Sequence, residues 1–277
     1  MIFLNGRLVA KDQARIDPAD RGLLLGDGLF ETLRSEGGRA AGLAAHLERL
    51  GRGAELLGIP IPEIDLAAAV AETLAANDLT GCAAALRITL TRGPGPRGLV
   101  PPIEPHPTLM IVAVASAPPS DAPLRAVIAA TRRNEQSPLA QLKTLNYLDN
   151  VLAKSEAEAR GADDALLLNT AGRLACASAA NLFLVRGRRL LTPPTGEGVL
   201  PGITRAEVIA LAADLELAVT ETPLEPDQLR SADEAFLTNS LMQIRPLVAV
   251  NDRPLADGTA GPVTQQLQEA YRAAVGR

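Results

Sequence analysis

Lysine is nearly absent from this chain: Lys11, Lys143 and Lys154 are its only three, against twenty-four arginines. Tryptophan is missing altogether and aromatic residues make up 2 % of the sequence, so the core is aliphatic. The formal net charge is -5. Without a basic surplus or aromatic stacking groups, a nucleic-acid partner is not expected. Two cysteines, Cys82 and Cys176, cannot make a disulfide framework. Two histidines, His46 and His106, with no C-x-x-C spacing give no metal site. The apolar runs, such as residues 109–115, are far shorter than a membrane span. The start, MIFLNGRLV, reads as a strand and not as a basic-then-apolar signal peptide. A cytoplasmic chain with neither membrane nor metal partner is expected. The length of 277 residues implies two domains or one large one.

Scarcity of lysine makes Lys143 conspicuous. Arginine keeps its proton in proteins, whereas a buried lysine can have its pKa lowered and attack a carbonyl. Residues 142–153, LKTLNYLDNVLA, therefore either hold a deprotonatable amine or merely begin a helix with a chance lysine.

Taken in order, residues 2–9 predict a hairpin about Asn5-Gly6, a turn dipeptide. DRGLLLGDGLFETLR, residues 20–34, has glycines at 22, 26 and 28 that permit tight backbone, with a strand from Leu29 onward. The glycine spacing is not that of a dinucleotide fingerprint. Leucines at 43, 47, 50 and 57 predict a helix ending at Gly58, and residues 62–77 a second. Strands are expected over 84–91 and 109–115. Between them RGPGPRG, residues 92–98, is either a solvated turn or a carboxylate-binding loop, since the arginine fork matches a carboxylate. SAPPSDAP, residues 116–123, is the clearest linker. Beyond it, strands are predicted over 125–131, 165–169, 179–185, 189–192, 217–221 and 234–239, and helices over 146–160, 204–214 and 263–275. VLPGITR, residues 199–205, places free N–H groups at a helix start, as a phosphate cradle or as ordinary capping.

Together these segments resemble the class IV, or fold-type IV, aminotransferases that use pyridoxal 5'-phosphate. That family includes branched-chain aminotransferases, D-amino-acid transaminases and 4-amino-4-deoxychorismate lyases. Five motifs occur in the family's order: DRGLLLGDGLFET, HLERL (46–50), LKTLNYLDNVLAK, SAANLF (178–183) and PGITR (201–205). The resemblance implies an α/β N-terminal domain over residues 1–117, a linker over 118–123 and a barrel-like C-terminal domain over 124–277, with the cofactor in a cleft between the domains. It implies Lys143 as the Schiff-base lysine and proton carrier. Arg49, the backbone of Ile203 and Thr204, and Ser240 would hold the cofactor phosphate. Leu200 would pack on the ring and Tyr147 would lie near the lysine, though one residue closer in sequence than in branched-chain enzymes. Phe30 and Arg97 would meet the substrate, Arg97 from a neighbouring subunit of a homodimer.

One position departs from the family pattern. Counting back from Asn181, the glutamate that pairs with the pyridine nitrogen falls on Cys176. A carboxylate there would keep that nitrogen protonated and the ring a strong electron sink. A thiol is only a weak donor or acceptor. Three activities stay open: transamination between an amino acid and a 2-oxo acid, elimination of pyruvate from aminodeoxychorismate, and cofactor binding without turnover.

Overall fold

Asn5 and Gly6 take positive φ, 48° and 89°, and turn Ile2–Leu4 (β1) back on Arg7–Val9 (β2). The computed structural model describes residues 1–275. They fall into two units, one of residues 1–118 with 142–146, the other of 119–141 with 147 onward. The short segment around Lys143 thus joins the first unit by its contacts although it follows the linker in sequence.

In the first unit a short helix, Arg21–Leu25 (α1), was not expected from its leucine run. The Asp20 carboxylate accepts from Gly22 N–H at its start and Gly26 ends it in the left-handed region. Gly28–Glu36 (β3) and Arg39–Ala40 (β4) form the next hairpin, followed by Leu43–Leu57 (α2). Gly58, with φ of 62°, stops α2 as its spacing predicted. Leu66–Ala75 (α3) begins later than residue 62 because the Asp65 side chain caps Ala67 and Ala68. Ala84–Thr91 (β5) and Thr108–Ala115 (β6) complete a six-stranded sheet of order β2-β1-β6-β5-β3-β4.

Strand alternation sorts the residues of β3. Leu29, Glu31 and Leu33 register with Leu90, Ile88 and Leu86 of β5, so all six side chains share one face. That face packs with Leu50 and Ala54 of α2 and Val70 and Leu74 of α3 in an aliphatic core. Phe30 and Thr32 register with Thr89 and Arg87 on the opposite face. Residues 143–145 run along β3: Phe30 N–H donates to the Lys143 carbonyl at 2.9 Å, and Leu145 N–H to the Gly28 carbonyl at 2.9 Å.

The second unit opens with Leu124–Arg133 (β7), then Leu148–Ala159 (α4), Asp164–Asn169 (β8), Leu174–Ala177 (β9), Asn181–Arg186 (β10) and Arg189–Thr192 (β11). Ile203–Asp214 (α5), Ala218–Glu221 (β12), Glu234–Asn239 (β13), Gln243–Val250 (β14), Arg253–Pro254 (β15) and Pro262–Val275 (α6) follow. Strand order is β12-β11-β10-β13-β14-β7-β8-β9, with β15 on β14, in a curled half-barrel. β9 and β14 were not foreseen: β9 is four residues long, and Pro246 inside β14 argues against a strand by sequence. Leu182, Leu184, Leu237 and Leu247 pack on one side of the sheet. Phe183 and Phe236 stack with centroids 4.9 Å apart in the cluster that includes Val208 of α5 and Leu267 of α6. Among the described residues no helix is long and apolar enough to cross a membrane.

Candidate active site

Lys143 lies half-buried, its Nζ 4.5 Å from the centroid of the Phe30 ring. The Arg87 guanidinium carbon lies 3.8 Å from the same centroid. Burial drives the Lys143 amine down from 10.5 to about 8. The Arg49 and Arg87 cations push it the same way, and the Glu31 carboxylate opposes them. A fraction of such an amine is unprotonated at neutral pH, which is the condition for attack on a carbonyl.

Behind β3 lies a buried ionic cluster. Arg49 Nε donates to Glu31 Oε1 at 2.8 Å and Nη2 to Oε2 at 2.6 Å. His46 Nδ1 lies 2.6 Å from Glu31 Oε2, and since the carboxylate only accepts, that nitrogen carries the proton. Three residues apart on α2, His46 and Arg49 share a helix face. Burial would raise the Glu31 pKa, but the bonds from Arg49 and His46 outweigh it and hold the carboxyl below its ordinary range. Glu31 and Arg87 are site residues that motif reading missed. The alternation of β3 and its register with β5 could have placed both.

RGPGPRG divides between the two roles considered for it. Arg92 is buried and donates to Asp27 at 2.8 Å and to the carbonyls of Leu57 and Gly58 at 2.7 Å each, so it is structural. Arg21 donates to the same Asp27 and to the carbonyls of Gly98 and Leu99, pinning the loop. Arg97 is exposed on that loop.

The remaining predicted residues lie in the second unit. Tyr147 caps α4 and is half-buried. Cys176 lies in β9, packed with Val127, Ala129, Ala153 and Val199, and burial pushes its thiol pKa up. A neutral thiol is therefore what this position offers. Gly202 N-caps α5 with no side chain bonded to the helix start, so the N–H groups of Ile203 and Thr204 face outward from a bare terminus. A Cβ on Gly202 would come 2.0 Å from Asn181 Oδ1, and Asn181 Nδ2 holds the Leu200 carbonyl at 3.0 Å. Thr204 Oγ1 lies 3.4 Å from the Tyr271 hydroxyl. Ser240 follows Asn239, whose side chain accepts from the N–H groups of Leu241 and Met242 and shapes that turn. A low-pKa amine beside an aromatic ring, a buried arginine and an uncapped helix start suit a phosphorylated aldehyde. The donor set fits pyridoxal phosphate.

The family model for amino-transferase class IV matches residues 28–250. The chain belongs to the class IV aminotransferases. This class IV enzyme is 36 % identical over 275 residues to a Methanocaldococcus jannaschii protein named provisionally as a branched-chain-amino-acid aminotransferase, covering 98 % of this chain and 95 % of that one. It is 30 % identical to the aminodeoxychorismate lyase of Bacillus subtilis, over 98 % and 94 % of the two chains. Among solved structures, the branched-chain aminotransferase of the archaeon Thermoproteus uzoniensis with norvaline superposes with a TM-score of 0.91 at 31 % identity, covering 99 % of this chain and 94 % of that one. A bacterial branched-chain amino acid aminotransferase complexed with N-(5'-phosphopyridoxyl)-L-glutamate superposes with a TM-score of 0.92 at 30 % identity, covering 100 % of this chain and 94 % of that one.

Proposed function

We propose that this class IV enzyme is a pyridoxal-phosphate-dependent aminotransferase acting between an amino acid and a 2-oxo acid. The observation that carries the reading is the Lys143 amine, half-buried against Phe30 with a pKa near 8. The cofactor, when bound, supplies an aldehyde for that amine and an electron-withdrawing ring for charge developing at the substrate Cα. Lys143 Nζ takes the Cα proton and returns one, as a group with a pKa near the working pH does best. Arg49 in the first unit, and the α5 start and Ser240 in the second, are the proposed phosphate donors. Arg87, exposed and seated on Phe30, is the first unit's own candidate for the substrate carboxylate. Arg97 on its loop would act toward a second copy of the chain. Leu99, Val100 and Ile103 in that loop, and Leu148, Val151 and Leu152 of α4, are exposed and support a homodimer, which a monomeric sedimentation profile would remove.

A second reading, the aminodeoxychorismate lyase, draws support from Cys176. Elimination tolerates a weaker electron sink, and a neutral thiol in place of the family glutamate gives one. Product analysis decides between them: 2-oxo acid formed from an amino donor for the first, pyruvate and an aromatic amine for the second. Borohydride reduction of the cofactor-loaded protein should label Lys143 alone. A label on Lys11 or Lys154 contradicts both readings.

A further inference from the structure

His46 and Glu31 have no part in the reading above, yet both are among the most deeply buried polar residues, at 1 % and 0 % exposure. We infer that Glu31 and His46 are positioning residues that aim the Arg49 guanidinium at the cofactor phosphate. The inference rests on the reading of Arg49 as a phosphate donor. Glu31 takes the whole Nε–Nη2 edge of Arg49 in a two-point contact, at 2.8 and 2.6 Å. Such a contact fixes the plane of the fork as well as its place. An anion then meets the side of the fork turned away from Glu31, and Glu31 sets the direction of that side. A carboxylate with one partner could still swivel about its last bond, but His46 holds Oε2 from a second direction at 2.6 Å. Strand β3 fixes Glu31 at the backbone, and helix α2 carries both of its partners. The sign of charge fits as well. Arg49 and Lys143 repel each other, and Glu31 is the anion that offsets them until a phosphate arrives.

A merely structural ion pair between α2 and β3 would behave differently, because its loss would weaken every ligand alike. The test therefore compares equilibrium binding of pyridoxal 5'-phosphate with that of pyridoxal, which lacks the phosphate, by visible absorbance on the full chain. Arg49→Ala should lose most of the preference for the phosphorylated form. Glu31→Asp and His46→Gln should each lower that preference about tenfold, the scale seen when groups that orient a binding side chain are removed, while pyridoxal binding stays unchanged. Glu31→Gln added to Arg49→Ala should change the preference by less than about twofold, since the two act as one unit. If Glu31→Gln alone does not fold, Glu31→Asp and His46→Gln still carry the comparison. Full preference in both of those variants, with loss in Arg49→Ala, overturns the inference and leaves Arg49 standing. Full preference in Arg49→Ala overturns the reading of Arg49 itself and this inference with it. Equal loss of both ligands in His46→Gln and Glu31→Asp makes the cluster structural, which also overturns it.

Discussion

An amine that titrates near 8 instead of 10.5 is set there by burial and by two neighbouring cations against one anion. Each neighbour therefore has a sign that can be checked. Titration of the Lys143 amine in the cofactor-free protein, followed by NMR of the labelled side chain, should show a midpoint near 8. Arg87→Ala removes a cation and should raise that midpoint; Glu31→Gln removes the opposing anion and should lower it further. Capture of an aldehyde by the protein should accelerate as pH rises through 8 and level off above it. A wild-type midpoint above about 10 would mean a solvated amine and would remove the physical basis for its role. Lys143 was legible in the sequence because two other lysines and many arginines made it rare. Glu31 and Arg87 were not, because their meaning comes from partners 15 or more residues away or across a strand pair. Arg97 drew attention by its turn, while Arg92, a few residues before it, turned out to be the buried one.

At the scale of elements, local punctuation was readable and tertiary compensation was not. Asn5-Gly6 and Gly58 ended or turned their elements where expected, since positive φ is a property of the residue itself. β14 stayed hidden behind Pro246, whose missing N–H is tolerated only because of its place in the ladder. Gly202 shows the functional side of the same constraint. Its φ of -72° is ordinary, so the demand for glycine comes from Asn181, whose Oδ1 would sit 2.0 Å from an added Cβ. Gly202→Ala must push Asn181 away from the Leu200 carbonyl or shift the start of α5. Overpacking of this kind costs about 1–3 kcal/mol. The variant should melt lower and lose pyridoxal phosphate faster on dialysis, while the Lys143 titration stays at its wild-type midpoint. Wild-type cofactor retention in a Gly202→Ala protein would separate the α5 start from phosphate binding.

Across the whole chain, the response to acid should be uneven. Asp27 and Glu31 both lie in the first unit, both resist burial's upward push, and both are held below their ordinary values by arginine partners. A carboxyl with a depressed folded pKa contributes stability that is full above its unfolded value and is lost as pH falls through the folded one. The unfolded values are 3.8 and 4.5, so the window opens below about pH 4.5. The lowered carboxyls of the second unit, Glu135 and Asp257, are held by the Thr170 and Thr259 hydroxyls at turns, without a buried cation between elements. Hydrogen-exchange protection, corrected for intrinsic rates, should therefore fall in β3 and α2 at a higher pH than in β10 and β13. Glu31→Gln leaves Arg49 buried without its counter-charge, which should destabilise the first unit by about 3–5 kcal/mol at neutral pH. In that variant the protection of β3 should start low and respond less to acid. Earlier loss of β10 and β13, or an unchanged acid midpoint for β3 in Glu31→Gln, would show that the buried carboxylate cluster does not govern acid stability.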